Sequence, residues 1–140
     1  MTNDPTLFAN HIADWSAPAQ KAAQTCRALF AQIATQNGIG TKDESLKWGQ
    51  LSWRPERPRT GSTLRMVWAP DTPDTLSLFV DCKTDLASRM STLYPDVAGN
   101  DGRRCITFDL TAPLPEQAVA HLAQMTFTYH LSADPSAKRR

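Results

Sequence analysis

The side chains best suited to binding chemistry lie in the middle of the chain, where basic and aromatic residues occur together. Lys47 lies in the tryptophan-containing segment 44–53, and Arg65 lies on the next alternating segment. Ammonium and guanidinium groups bind carboxylate or phosphate, and indole rings provide a surface for stacking. Together these residue types predict a pocket for an anionic, partly aromatic ligand. The candidate ligand-binding residues are Lys47, Trp48, Gln50, Trp53, Arg65 and Lys83.

The same residues have two other interpretations. Tryptophans commonly fill the core and rim of a small protein, and charged residues on strands are solvated and limit edge-to-edge aggregation. Alternatively, exposed tryptophans form the surface of a protein-interaction module that meets a partner or a second copy of the chain. The sequence leaves these interpretations open, and both a monomer and a homodimer are compatible with it.

Motifs of the common enzyme classes are absent from the sequence. It contains no Gly-x-Ser-x-Gly segment, no Walker loop and no dinucleotide fingerprint. Asp81 and Asp85 are four residues apart, but they span a predicted strand–helix junction and form no clear carboxylate pair. The sequence therefore identifies no catalytic residue and no cofactor, and it favours a binding protein over an enzyme.

The cysteines and histidines lack the spacing of a metal site. Cys26, Cys82 and Cys105 are odd in number and far apart, which predicts reduced thiols that act as small buried hydrophobes. His121 and His130 are nine residues apart, about 2.5 helical turns, so they point to opposite faces of a predicted helix. We therefore predict no metal ligands.

Length and charge restrict the function further. The 140 residues predict a single domain, with a core at about 16–131 and a flexible tail at 132–140. The formal net charge of +1 disfavours nucleic acid and membrane surfaces as partners. No apolar run approaches about 18 residues, and the first residues lack the features of a secretion signal. We therefore expect a cytoplasmic protein without a membrane span.

Helical periodicity marks both ends of the chain and one segment between them. Apolar steps of three and four predict helices at 4–15, from Ser16 to Asn37-Gly38, at 84–93 and at 116–131. Asp4 is the candidate N-cap of the first helix, Ser16 restarts the pattern for the second, and Gly38 ends the second because it tolerates positive φ.

Between these helices the period changes to two, which is typical of strands with one buried face. Strands are predicted at 44–48, 51–53, 62–69, 75–82 and 104–110, with turns at 70–74 and 99–102. The parity of the apolar positions changes at Gly49-Gln50, which predicts a bulge or a tight bend. The sequence therefore predicts an α+β two-layer sandwich. Its antiparallel sheet of about five strands packs one face on the N- and C-terminal helices and leaves the other face open.

Several segments, taken in order, resemble the YdhG-like domain of unknown function family, a bacterial group. The segment 44–53 resembles the family's Lys-Trp-Gly hallmark, with Leu51 and Trp53 where Pro and Tyr are usual. The other similar segments are 61–65, 81–84, Arg103-Arg104 and 128–130, so that the resemblance covers roughly residues 16–131.

This resemblance implies an antiparallel sheet with flanking helices, related in shape to frataxin. Some members are described as frataxin-like intracellular iron chaperones, so iron binding is an alternative function. Frataxin-type iron binding uses clustered carboxylates on the long N-terminal helix, whereas residues 15–42 contain no Asp or Glu. Because iron prefers carboxylate and imidazole ligands, the sequence favours an anionic ligand over an iron cation.

Overall fold

The computed structural model describes residues 6–39, 42–56, 60–96 and 99–133. It begins with a short helix α1 (Leu7–His11) and a long helix α2 (Ala17–Gln36). The hydroxyl of Ser16 accepts a hydrogen bond from the backbone N–H of Ala19, which caps the start of α2. Gly38, just beyond its end, has a φ of 65°. Both limits of the predicted long helix are confirmed.

Within the described residues, six antiparallel strands form one sheet in the order β1-β2-β3-β4-β6-β5. The strands are β1 (Lys42–Lys47), β2 (Gln50–Pro55), β3 (Leu64–Val67), β4 (Thr75–Phe79), β5 (Gly99–Asn100) and β6 (Cys105–Asp109). The register keeps apolar residues level, since Leu51 pairs with Met66 and Met66 pairs with Leu78. Every second residue of the inner strands therefore faces the same layer.

The remaining helices are α3 (Leu86–Leu93), between β4 and β5, and α4 (Glu116–Phe127) and α5 (Tyr129–Ala133), after β6. Helix α2 packs against α4, and the ring of Phe30 on α2 lies 5.0 Å from that of Trp53 and 6.0 Å from that of Phe127. The three rings join the helical layer to the sheet in one hydrophobic core.

Strand alternation gives the sheet a helix-facing side and an open face. The helix-facing residues are buried: Leu51, Trp53, Leu64, Met66, Leu76, Leu78, Ile106 and Phe108. The alternating residues of the open face are mostly half-buried, and they include the polar Arg65, Ser77 and Thr107 as well as the apolar Val67 and Phe79. The predicted α+β sandwich with an antiparallel sheet and terminal helices is confirmed, with six strands where about five were expected.

The sheet differs from the prediction at one edge. Residues 99–102 were expected to form a turn, but Gly99 and Asn100 form the short edge strand β5, which is too short to show an alternating pattern. The change of parity near Gly49 is a two-residue hairpin turn, the tight bend of the two predicted alternatives, because the chain reverses direction between Lys47 and Gln50.

The ends of the chain differ from the prediction as well. The last helix is interrupted at Thr128, whose backbone N–H and hydroxyl both donate hydrogen bonds to the carbonyl of Gln124. The predicted N-cap Asp4 and the tail residues 134–140 lie outside the described residues. No helix in the described part of the chain is long and apolar enough to cross a membrane.

Candidate functional site

A cavity of about 380 Å³ lies on the open face, beside the residues that follow β4. Four of the six predicted ligand-binding residues line it: Lys47, Trp48, Arg65 and Lys83. These residues come from the β1–β2 hairpin, from β3 and from the loop after β4, and the antiparallel pairing of the strands brings them together. The volume is within the range of small-molecule sites, roughly 300–1,000 Å³.

The hairpin turn places an aromatic ring in solvent at one end of this cavity. Trp48 and Gly49 both have positive φ, 52° and 76°, as the central residues of a type I′ turn require. Asn and Gly are the residues usually found there, and Trp48 is the one described residue other than glycine with positive φ. Its side chain is 84% exposed. The most exposed tryptophan of the described chain is therefore held in a backbone conformation that tryptophan disfavours.

Arg65 supports this ring from the sheet. Its guanidinium carbon lies 5.3 Å from the centroid of the Trp48 ring, in a cation–π contact. Arg65 pairs with Ser52 on one side and with Phe79 on the other, so its backbone is fixed within the ladder. Trp48 is consequently held above the open face.

Two turns position the basic residues at the other end of the cavity. The Oδ1 atom of Asp81 accepts a hydrogen bond from the backbone N–H of Lys83 at 2.9 Å. The Oδ1 atom of Asp101 accepts bonds from the backbone N–H groups of Arg103, Arg104 and Cys105, each at 2.9 Å. These bonds lower the pKa of Asp101 to about 2. Lys83 and Arg104 therefore project from well-defined turns.

The cavity has an excess of positive charge. Its described lining includes four basic side chains, Lys47, Arg65, Lys83 and Arg104, and one acidic side chain, Asp81. None of the four makes an ion pair with another described residue. Clustered like charges without counter-ions repel one another, so this surface attracts anions.

Two of the predicted residues lie elsewhere. Gln50 begins β2 and is not part of the described lining of the cavity. The assignment of Trp53 to the open face is wrong, because its side chain is fully buried between the sheet and the helices. The sequence prediction places Trp48 and Trp53 on one surface. In the structure, Trp48 lies in a tight turn and Trp53 lies five residues further along the chain, on the buried side of β2. Arg104 joins the site instead, because Val80 donates a backbone hydrogen bond to its carbonyl.

Comparisons with protein-family models, with curated proteins and with solved structures found no match. The resemblance of residues 16–131 to the YdhG-like family therefore stays a prediction. What the site can do follows from its own side chains and their geometry.

A buried carboxylate anchors the hairpin that carries Lys47 and Trp48. Glu44 is 3% exposed and accepts two hydrogen bonds from the guanidinium of Arg27 on α2, at 2.7 and 2.8 Å. It also accepts one from the indole N–H of Trp53, at 2.7 Å. The bonds to Glu44 raise the pKa of Arg27 above its ordinary value. This network joins the hairpin to the helical layer.

The three cysteines lie in different environments. Cys26 is buried in α2, and burial raises the pKa of its thiol to about 12. Cys105 is half-buried, and burial raises the pKa of its thiol as well. The prediction that all three are buried is wrong for Cys82, which is exposed and lines the cavity. Cys82 is exposed because it lies in the turn after β4 rather than inside the strand.

A second cavity of about 340 Å³ lies between the start of α2 and the loop after β6. Its described charged residues are Lys21, Asp109 and Glu116, so it has no excess of positive charge. No group of three or more His, Cys, Asp or Glu that could hold a metal occurs among the described residues. The cavity on the open face is therefore the stronger candidate for a ligand site.

Proposed function

We propose that this protein binds a small anionic ligand in the cavity on its open face. The observation that carries the proposal is the convergence on one concave surface of four basic side chains, none of them ion-paired to another described residue, beside the exposed ring of Trp48. Lys47, Arg65, Lys83 and Arg104 attract the negative charge of the ligand, and Trp48 covers it.

Electrostatics support this assignment over iron binding. Asp81 and Cys82 are the metal-binding side chain types in the described lining, and the four basic residues around them repel cations. One Oδ atom of Asp81 is already bonded to the backbone of Lys83. An anion gains attraction from the same residues.

A protein-interaction module is the second candidate, and the 84% exposure of Trp48 is the observation that favours it. Trp15 and Trp53 are buried and Trp68 is half-buried, so one ring rather than a patch of four is presented to a partner. A small ligand explains both the ring and the cationic cavity, whereas a partner surface explains the ring alone. Sedimentation at micromolar and millimolar concentrations tests whether that ring joins two copies.

Thermal unfolding with a panel of anions tests the proposal. A ligand at about 100 times its Kd stabilises the folded state by about 2.7 kcal/mol, which is a clear shift in Tm. The shift is expected to shrink in Arg104→Ala and to persist in full in Arg103→Ala, which removes the same charge from an exposed neighbour outside the described lining. Equal shifts in both variants would mean that the anions bind elsewhere.

A further inference from the structure

We infer that the ligand is a mononucleotide, whose base stacks on Trp48 and whose phosphate binds Lys83 and Arg104. This inference rests on the proposed function and specifies the ligand class of the same cavity. Three observations carry it: the length of the site, the different chemistry of its two ends, and the limited extent of its positive charge.

The site is longer than a simple anion. Ser45, Ser52 and Arg65 are level with one another across three strands. Lys47 lies two residues from that level toward the hairpin tip, and Thr63 lies two residues away in the opposite direction. At about 3.3 Å per residue, these two lining residues are about 13 Å apart along the strands. A ligand that reaches both ends is therefore larger than a phosphate ion or a dicarboxylate.

The hairpin end of the site is suited to a planar ring. The guanidinium of Arg65 lies over the Trp48 ring, and the ring as a whole is 84% exposed. The ring therefore has open surface on which a base can stack, and Lys47 adds a hydrogen-bond donor beside it. Stacking of a base on an aromatic side chain increases affinity by about tenfold or more.

The opposite end is suited to a phosphate group. Lys83 and Arg104 extend from turns that Asp81 and Asp101 hold through hydrogen bonds to backbone N–H groups. The planar fork of an arginine binds two phosphate oxygens at once, and lysine adds a point charge. Thr63 lines the cavity close by and supplies a neutral hydroxyl. This end therefore provides charge in a preorganised form.

The positive surface is too short for a polynucleotide. From the cavity toward β5, the open face continues through Ser77 and Thr107 to Asp109, and these side chains are neutral or acidic. Binding along a nucleic acid strand requires a continuous track of basic residues. The described charge pattern favours a single nucleotide unit.

Titration of AMP, UMP, adenosine, ribose 5-phosphate, citrate and inorganic phosphate, read by calorimetry, tests this inference. AMP and UMP are expected to bind at least about tenfold more tightly than adenosine, which lacks the phosphate, and than ribose 5-phosphate, which lacks the base. If citrate or ribose 5-phosphate binds as tightly as AMP, the ligand is a different anion: the nucleotide assignment fails and the proposed function stands. If none of the six compounds binds, both fail. Tighter binding of an eight-nucleotide oligouridine than of UMP, by more than tenfold, would replace the assignment with nucleic acid binding.

Two variants separate the ends of the site. Trp48→Asn is expected to weaken AMP binding about tenfold and to leave ribose 5-phosphate binding unchanged, because only the stacking surface is lost. Arg104→Ala is expected to weaken both compounds, and Arg103→Ala, the control of matched charge, neither. An unchanged affinity of Trp48→Asn for AMP would overturn the assignment of the base to Trp48. Circular dichroism establishes that each variant is folded.

Discussion

Replacing Trp48 by asparagine is expected to make the folded protein more stable, although it removes a large side chain. Trp48 has a φ of 52° in a two-residue turn. A non-glycine residue in the left-handed region costs about 1–2 kcal/mol, and asparagine is one of the few side chains that tolerates this region. The substitution creates an Asn-Gly turn with Gly49, which is the favoured sequence for this geometry.

The size of the effect follows from what the indole contributes to the fold. Because Trp48 is 84% exposed, the ring buries little apolar surface. Its described contact is the cation–π interaction with Arg65 at 5.3 Å, worth about 0.5–1 kcal/mol at an exposed site. The net gain is about 0.5–1 kcal/mol in the free energy of unfolding. For a chain of 140 residues this corresponds to a rise in Tm of roughly 2–4 °C.

Trp48→Ala provides the matched control, because it removes the ring but keeps a side chain that disfavours positive φ. Urea and thermal unfolding of the wild type and the two variants give the free energies. The asparagine variant is expected to be more stable than the alanine variant by about 1 kcal/mol. If the two variants are equally stable, the backbone of Trp48 is not strained, and our reasoning about the turn is refuted.

Four further predictions concern the anchor, the packing, the acid response and the thiols. Glu44→Gln is expected to lower the free energy of unfolding in urea by about 2 kcal/mol, because the buried hydrogen-bond network with Arg27 loses the negative charge of its carboxylate. Asp85→Asn, in an exposed pair with Arg89, is the control and should change the free energy of unfolding by less than about 0.5 kcal/mol. Gly61→Ala is expected to lower the free energy of unfolding by about 1–3 kcal/mol or to prevent folding, because the Cβ of the new alanine would overlap the backbone carbonyl of Phe127. Wild-type stability of this variant in the same urea assay would contradict the close packing. The pKa of Asp101 is lowered from 3.8 to about 2, so the unfolded state binds the proton more readily than the folded state. The stabilisation by this carboxylate is therefore present above pH 3.8 and is lost as the pH falls to about 2. Asp101→Asn should remove that part of the acid dependence when unfolding is measured from pH 5 to pH 2. Iodoacetamide is expected to modify the exposed Cys82 in the folded protein and to modify the buried Cys26 only after unfolding, as mass spectrometry of the peptides would show.

Local signals in the sequence predict the helical layer well. Ser16 and Gly38 mark the two ends of α2, because a side-chain cap and a residue with positive φ depend on a few neighbouring residues. The inner strands β3, β4 and β6 follow from alternation, since each has one fully buried side. The edge strand β5 has two residues, so no period exists to detect.

The candidate site is less accessible to sequence reasoning, because its members meet through strand pairing. Lys47 and Arg65 lie on strands that the pattern predicts, and their side chains share the open face as expected. Arg104 joins them because β4 pairs with β6, a contact between segments 26 residues or more apart, which spacing along the chain cannot show. Trp53 was misplaced because the Trp48-Gly49 turn lacks the usual Asn-Gly signal, so the sequence left both a bulge and a tight bend open at this position.

The β1–β2 hairpin combines a rigid base with a strained tip, and the two features depend on each other. At its base, Glu44 is bonded to Arg27 and Trp53, which ties the hairpin to α2. At its tip, Trp48 has an unfavourable φ and an exposed ring. Strain of this kind persists only where the surrounding structure holds it, and it concentrates at binding sites. A free hairpin would relax its turn, whereas one fixed at its base keeps Trp48 above the open face before any ligand arrives. In the binding that we propose, the anchor preorganises Trp48 and so lowers the entropic cost of stacking a ring on it.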